Sequence, residues 1–251
     1  MLRFMPVGDS MTIGSAGEHT WRYRMWQHLR ATHGGPFAVV GPRETLYDKA
    51  TDTPTSYEYA DPGFPHFHLA GWGEGWLHMT PLIGEAVRGC RADVLLVSLG
   101  LIDLGFYTNA RQTAENVRAF VAEARAAGPS VRMVILPVIP NVRALTDAAF
   151  GAEVTHFNEL LAKAVADLDD PRSPLLLASL PESYDVHRDT YDGTHPNGAG
   201  EHKIAGAFAA AMHQAWGLGG TYDADDGTGT DVYALPSPDG FSGGRGGRRR
   251  R

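Results

Sequence analysis

The sequence predicts an α/β protein built on a largely parallel sheet. Short apolar runs alternate along the chain with amphipathic stretches of helical period, the pattern of strands joined by crossover helices. Asp93 to Leu99 (DVLLVSL) is the clearest of the apolar runs and reads as a buried strand. Glycine and proline pairs such as Gly34-Gly35 and Gly128-Pro129 close the helical stretches.

Taken in order, Leu2 to Val7 is a short buried strand that runs into Gly8-Asp9-Ser10. Trp21 to Thr32 is a helix, with Tyr23, Trp26, Gln27 and Arg30 at helical spacing. Phe37 to Val40 is a second strand. Residues 44–66, rich in Thr, Pro, Tyr and Asp, read as a long loop, and loops of that length are usually functional or disordered. After the strand at Asp93 to Leu99 come a helix at Ala110 to Ala127, a strand at Val131 to Pro137, a helix at Ala152 to Leu168 and a strand at Leu175 to Ala178. Gly198 to Trp216 is the closing helix, opened by the turn Pro196-Asn197. Beyond Gly217 the chain turns to Gly, Thr, Asp and Pro and ends GGRGGRRRR, an extended or disordered tail. The expected organisation is one domain over residues 1–217 and a tail over 218–251.

Composition narrows the function classes. A chain of 251 residues is long enough for one sizeable α/β core, and 43% hydrophobic with 20% charged residues is ordinary for a soluble globular protein. The net charge of −7 gives nucleic acid no general attraction. Five of the 22 basic residues are Arg245 and Arg248 to Arg251, so the body is more acidic than the total suggests. The arginine cluster alone could meet an anionic surface, but the acids before it and the scarcity of aromatics favour a solvated end. Cys90 is the single cysteine, which excludes an intrachain disulfide. No stretch approaches the roughly 20 apolar residues of a membrane span, and the first ten residues carry no long apolar leader. These features lead to the expectation of a cytoplasmic enzyme with no membrane partner and with its oligomeric state unspecified.

Two short patterns carry chemistry. Gly8-Asp9-Ser10 follows the first strand directly, so a tight turn would present the serine at the carboxyl edge of the sheet, where sites of α/β proteins lie. No Gly-x-Ser-x-Gly elbow occurs in the chain. In Tyr191-Asp192-Gly193-Thr194-His195-Pro196-Asn197, an Asp and a His three apart on one loop can meet, leaving the second ring nitrogen to take a serine proton. Either pattern alone could be an incidental turn. The neighbouring Asp185-x-His187 has the wrong spacing and no following proline, and Asp189 could touch the loop structurally.

Together, MPVGDSMTIG, DPGFPHFHLAGWG, VLLVSLGLIDL and DGTHPNGAGEHKIA resemble the four ordered blocks of the SGNH (GDSL-like) hydrolases. They are most similar to the branch that includes carbohydrate acetyl esterases of the family 3 kind. The match runs from residue 5 to about 210. The resemblance implies a flavodoxin-like three-layer α/β/α fold and hydrolysis of esters, often acetyl groups on sugars, with no metal or organic cofactor. It implies Ser10 as nucleophile, His195 as base and Asp192 as acid, with the backbone N–H groups of Ser10 and Gly71 in the oxyanion hole.

The third block departs from the family. Gly100-Leu101-Ile102-Asp103 has Ile102 where the family has an asparagine, and isoleucine offers no hydrogen bond to an oxyanion. Another donor such as Asn109 could replace it. Alternatively, the chemistry could have shifted to an activated ester or to acyl transfer, or the fold could serve as a non-catalytic binding module. His66, His68, Trp72, Trp76 and His78 are expected to line the mouth of the site, since their spacing does not suit zinc. Asp9, Trp72 and His68 are the residues assigned to a small-molecule or carbohydrate ester substrate, while Trp21, Arg22 and Arg43 could face the pocket or pack on the surface.

Overall fold

A computed structural model describes residues 1–179 and 182–223; the arginine-rich end lies outside the described residues. The elements in order are β1 (Leu2–Gly8), α1 (Ser10–Ile13), α2 (Thr20–Thr32), β2 (Phe37–Val39), β3 (Leu46–Asp48), β4 (Thr53–Ser56), β5 (Leu69–Ala70) and α3 (Trp76–Cys90). There follow β6 (Val94–Ser98), a π-helical turn (Asp103–Tyr107), α4 (Ala110–Ala127), β7 (Arg132–Leu136), α5 (Val142–Thr146) and α6 (Ala148–Leu168). The chain then forms β8 (Leu175–Leu177), α7 (Val186–Asp189) and α8 (Gly198–Trp216).

The main sheet has the order β2-β1-β6-β7-β8 and every pairing in it is parallel. β6 runs along one edge of β1 from Phe4 to Gly8, so the other edge is shared. β2 pairs with Leu2 to Phe4 and β5 takes over at Val7 and Gly8. The chain leaves β1 in one direction for β2 and later returns to β1's other side as β6. The gap between the carboxyl ends of β1 and β6 is therefore the topological switch point, where open α/β sheets place their ligands.

Period-two alternation divides the strand side chains between two cores. Met5, Val7, Leu95, Val97, Met133 and Ile135 face the layer of α3, α4 and α6, against Trp76, Phe120 and Phe157. Phe4, Val94, Leu96, Val134 and Leu136 face α2 and α8, against Trp21, Ile204 and Phe208. Trp21 and Phe208 stack with ring centres 4.8 Å apart. The result is the three-layer α/β/α sandwich that the motif resemblance implies.

Several elements differ from the sequence reading. The stretch 44–66 contains a small antiparallel pair, β3 and β4. Helix α3 was not expected, and Pro81, Gly84 and Gly89 lie inside it. Its apolar residues Trp76, Met79, Ile83 and Val87 nonetheless fall on one buried face, and burial outweighs the poor helix formers. Helix α6 begins four residues earlier than Ala152, because Asp147 caps it by accepting from the amides of Ala149 and Phe150 at 3.1 and 3.2 Å.

Candidate active site

Ser10 is the first residue of α1, immediately after β1, and is almost buried. Asp9 caps that helix, its Oδ1 accepting from the Met11 amide at 3.0 Å. The approach is tight: a Cβ on Gly8 would lie 1.9 Å from Thr12 Oγ1 and 2.8 Å from Ser98 O, so only glycine lets the turn pass. Arg22, fully buried, donates to the carbonyls of Thr12 at 2.7 Å and Ile13 at 3.0 Å, and also to His66 O at 2.8 Å. The Trp21 indole N–H donates to Thr12 Oγ1 at 3.3 Å. Trp21 and Arg22 are thus neither pocket-facing nor superficial. They tie the far end of α1 to α2 and so hold the serine's helix in place.

The loop before α8 supplies the other two groups. It is closed by the Thr190–Pro196 bridge and by Gly193 N donating to Thr190 Oγ1 at 2.9 Å. Gly193 sits at φ +84°, where a side chain would be strained. Asp192 Oδ1 accepts from the amides of Thr194 (3.0 Å) and His195 (2.8 Å), and its Oδ2 accepts from His195 Nδ1 at 2.7 Å. Burial works to raise the Asp192 pKa, but the His195 amide and ring and the Thr194 amide outweigh it and hold the carboxyl below its ordinary value. With Nδ1 donating to Asp192, Nε2 accepts from the Ser10 hydroxyl at 3.0 Å. Ser10, His195 and Asp192 therefore form one continuous hydrogen-bonded relay. The His195 ring stacks with Trp72 at 4.7 Å and with Tyr191 at 5.8 Å, and Tyr47 stacks in turn on Trp72 at 3.9 Å.

The relay opens into a cavity of about 410 Å³ at the switch point. Trp72 and Ile102 both line it, Ile102 contributing only apolar surface. Sequence reasoning did not single out Leu101, Phe106, Tyr107, Asn141, Arg143, Phe150 and Thr194 as lining residues. Asn141 follows β7 at its carboxyl end, a position that α/β topology marks as a site, and that signal could have found it.

Other expectations are corrected. Asp9 is buried, with Oδ2 meeting no hydrogen-bond partner among the described residues, so it cannot reach a substrate. Burial pushes its carboxyl up to about 7, against the Met11 amide and with help from the Asp103 charge. His68 is buried too, donating from Nε2 to Thr45 O at 2.9 Å and accepting at Nδ1 from Ala70 N at 3.0 Å. Burial, with the nearby Arg22 charge, lowers its pKa well below the ordinary value, and the ring serves to hold β5. Trp76 belongs to the core, His66 stacks on Tyr59, and His78 accepts from the Gly75 amide. Of the five residues expected at the mouth, Trp72 alone lines the cavity.

Gly71 also differs from expectation. Its N–H donates to Gly8 O at 3.2 Å, in the β1–β5 pairing, and not into the cavity. A Cβ there would meet Glu74 and the Arg43 guanidinium at 2.3 and 2.6 Å, so the glycine makes room for that ion pair. Arg43 and Glu74 line a separate cavity across Trp72. Asn109 is exposed and caps α4, its Oδ1 accepting from Gln112 N at 3.0 Å, and it does not line the Ser10 cavity. Asp103, the part of the third block that is retained, is fully buried and accepts from the amides of Trp76 (2.8 Å) and Leu77 (3.1 Å). It caps α3 from a distance, because Gly75 at the cap position has no side chain.

A parallel α/β/α sandwich with a serine–histidine–aspartate relay at its switch point defines the class of serine hydrolases. The chain belongs to the GDSL-like lipase/acylhydrolase family, whose model matches residues 7–203, and this places it among the serine esterases. It is similar to a multidomain esterase of Ruminococcus flavefaciens, 23% identical over 217 residues; that stretch is 81% of this chain and 27% of the other protein's length. Among solved structures, it resembles a carbohydrate esterase family 3 protein from Talaromyces cellulolyticus (TM-score 0.70, 22% identity, covering 85% of this chain and 97% of that one). It also resembles a Clostridium thermocellum family 3 carbohydrate esterase (TM-score 0.66, 20% identity, 85% and 96% covered). No helix among the described residues is long and apolar enough to cross a membrane.

Proposed function

We propose that this protein removes a short acyl group, acetyl in the first instance, from a sugar or sugar-decorated small molecule by serine-dependent hydrolysis. The observation that carries the reading is the unbroken relay from Ser10 Oγ through His195 to Asp192, at 3.0 and 2.7 Å. Ser10 attacks the ester carbonyl while His195 Nε2 takes the hydroxyl proton, and Asp192 orients the ring and stabilises the imidazolium. The Ser10 N–H is the first of α1 and has no carbonyl one turn back within the helix, which leaves it free of the helix ladder as the donor for the developing oxyanion in this reading. His195 then protonates the leaving alkoxide, and water repeats the sequence on the acyl-serine. The short acyl group and the sugar follow the similar solved structures, which include an acetyl esterase and carbohydrate esterases.

Fluorophosphonate labelling followed by peptide mapping tests the nucleophile, and p-nitrophenyl acetate tests the reaction. Ser10 should be labelled and the ester cleaved, with both lost in Ser10→Ala. Wild-type protein that shows neither, or a Ser10→Ala variant with undiminished turnover, overturns the reading.

A further inference from the structure

The cavity beside Ser10 is lined by residues of two unlike kinds. Leu101, Ile102, Phe106, Tyr107 and Phe150 supply its apolar and aromatic lining, with the Arg143 guanidinium lying over the Phe150 ring at 4.2 Å. Asn141 and Thr194 are polar, and Thr194 directly precedes His195 in the chain. Asn141 caps α5, its Oδ1 accepting from the Ala144 amide at 3.1 Å, which fixes the orientation of the whole carboxamide. Its Nδ2 donates to Thr194 Oγ1 at 3.3 Å, and the Val142 amide donates to Gly193 O at 2.7 Å. The start of α5 is thereby fastened to the loop that carries His195. An amide nitrogen has two hydrogens, and Thr194 takes one of them.

Position relative to His195 says what these polar groups meet. In ester cleavage the imidazole delivers its proton to the leaving oxygen, so groups beside the imidazole border the alcohol half of the substrate. We infer that Asn141, with the Thr194 hydroxyl it holds, is a specificity-determining residue that binds a hydroxyl next to the ester oxygen. It thereby selects a polyhydroxylated alcohol, such as a sugar ring, over a plain one. The inference rests on the hydrolytic reading above and adds the group that recognises the alcohol. A rigid donor of this kind discriminates because its orientation is settled before the substrate arrives.

The test compares two esters with a common acyl group. p-Nitrophenyl acetate has no hydroxyl beside its ester oxygen, whereas methyl 2-O-acetyl-xyloside has one. Asn141→Gly removes the carboxamide and leaves a residue that N-cap positions accept. Thr194→Val removes the hydroxyl and nearly preserves shape, and serves if the first variant folds poorly. Each variant should lose about 10-fold in kcat/KM on the sugar acetate, the scale of one hydrogen bond, and stay within about twofold on p-nitrophenyl acetate. Equal losses on both esters would assign Asn141 to the oxyanion and overturn the inference. So would unchanged rates on both, or a wild type that cleaves p-nitrophenyl acetate and leaves the sugar acetate intact. Failure of the hydrolytic reading itself looks different: Ser10→Ala would then match wild type on both esters.

Discussion

The two segments that carry the later motif blocks, residues 100–107 and 190–197, have been treated in opposite ways. In the second, each polar group of the motif faces a partner: Asp192 meets two amides and the His195 ring, and His195 reaches Ser10. In the first, the pattern is halved. Ile102 presents an apolar side chain to the cavity, whereas its neighbour Asp103 is buried and spends both oxygens on the start of α3. Adjacent positions of one motif thus do different work. The position facing the pocket can change with the chemistry, while the position that completes a helix end supplies the acceptor for the Trp76 and Leu77 amides, which would otherwise be left without one.

The sharpest way to break this comparison is at Asp192. An asparagine there still offers an oxygen to the Thr194 and His195 amides, so the loop should hold. Its amide would face His195 Nδ1 as a donor and force the wrong tautomer on the ring. Asp192→Asn should lower kcat on p-nitrophenyl acetate by ~10³–10⁴ with little change in melting temperature. A variant that turns over normally would mean the relay is structural only.

At Asp103 the expected loss moves from rate to stability. Asp103→Ala should destabilise the protein by about 2 kcal/mol, read from urea midpoints, because two amides of α3 lose their acceptor in a buried setting. The kcat of the folded protein should stay within a few-fold of wild type. A large fall in kcat with an unchanged midpoint would place Asp103 in the chemistry and erase the contrast with Ile102.

Ile102→Asn sharpens the other half. A donor at this position should raise kcat on simple esters by up to ~10-fold, well short of the ~10²–10³ associated with a fully oriented oxyanion donor. The melting temperature must be followed, since a buried amide without a partner costs ~1–3 kcal/mol. An unchanged or lower rate in a stable variant would mean that the apolar lining is what the substrate needs.

The smallest effect concerns Asp9, whose carboxyl burial raises to about 7. The folded state binds this proton more tightly than the unfolded chain, so Asp9's own contribution to stability is fullest below about pH 4 and is lost as pH rises through about 7. Glu201, also raised to about 7 by burial in opposition to Arg24, adds a slope of the same sign. Urea midpoints between pH 4 and 8 should therefore fall less steeply in Asp9→Asn than in wild type. Parallel curves would show that Asp9 does not carry the proton.

Legibility from sequence follows the range of the interactions. The strands ending at Gly8, Ser98 and Leu136 were readable because a strand buried on both faces must be apolar throughout, which is a local property. Helix α3 was not readable, because local propensity at Pro81, Gly84 and Gly89 argues against it and only distant packing restores it. The same divide runs through the site. The bond between Asp192 and His195 lies within four residues of chain, so the spacing allowed it and the motif resemblance pointed to it. His68 and Trp76 look like pocket residues by type and motif position, but the packing around β5 and α3 turns them inward.

What the sequence determined by itself was the alternation of strands and helices and, through its likeness to a motif pattern, the Asp192–His195 pairing and the chemical gap at Ile102. Each follows from the covalent order of a few neighbouring residues. Only the tertiary structure decided that Ser10, from the start of the chain, meets His195 at 3.0 Å. Only it turned the Gly71 amide toward Gly8 and brought Asn141 beside Thr194. These outcomes depend on the crossover order of the sheet, which sets distant loops side by side at one edge, and on close packing, which leaves each buried group room to face only one way.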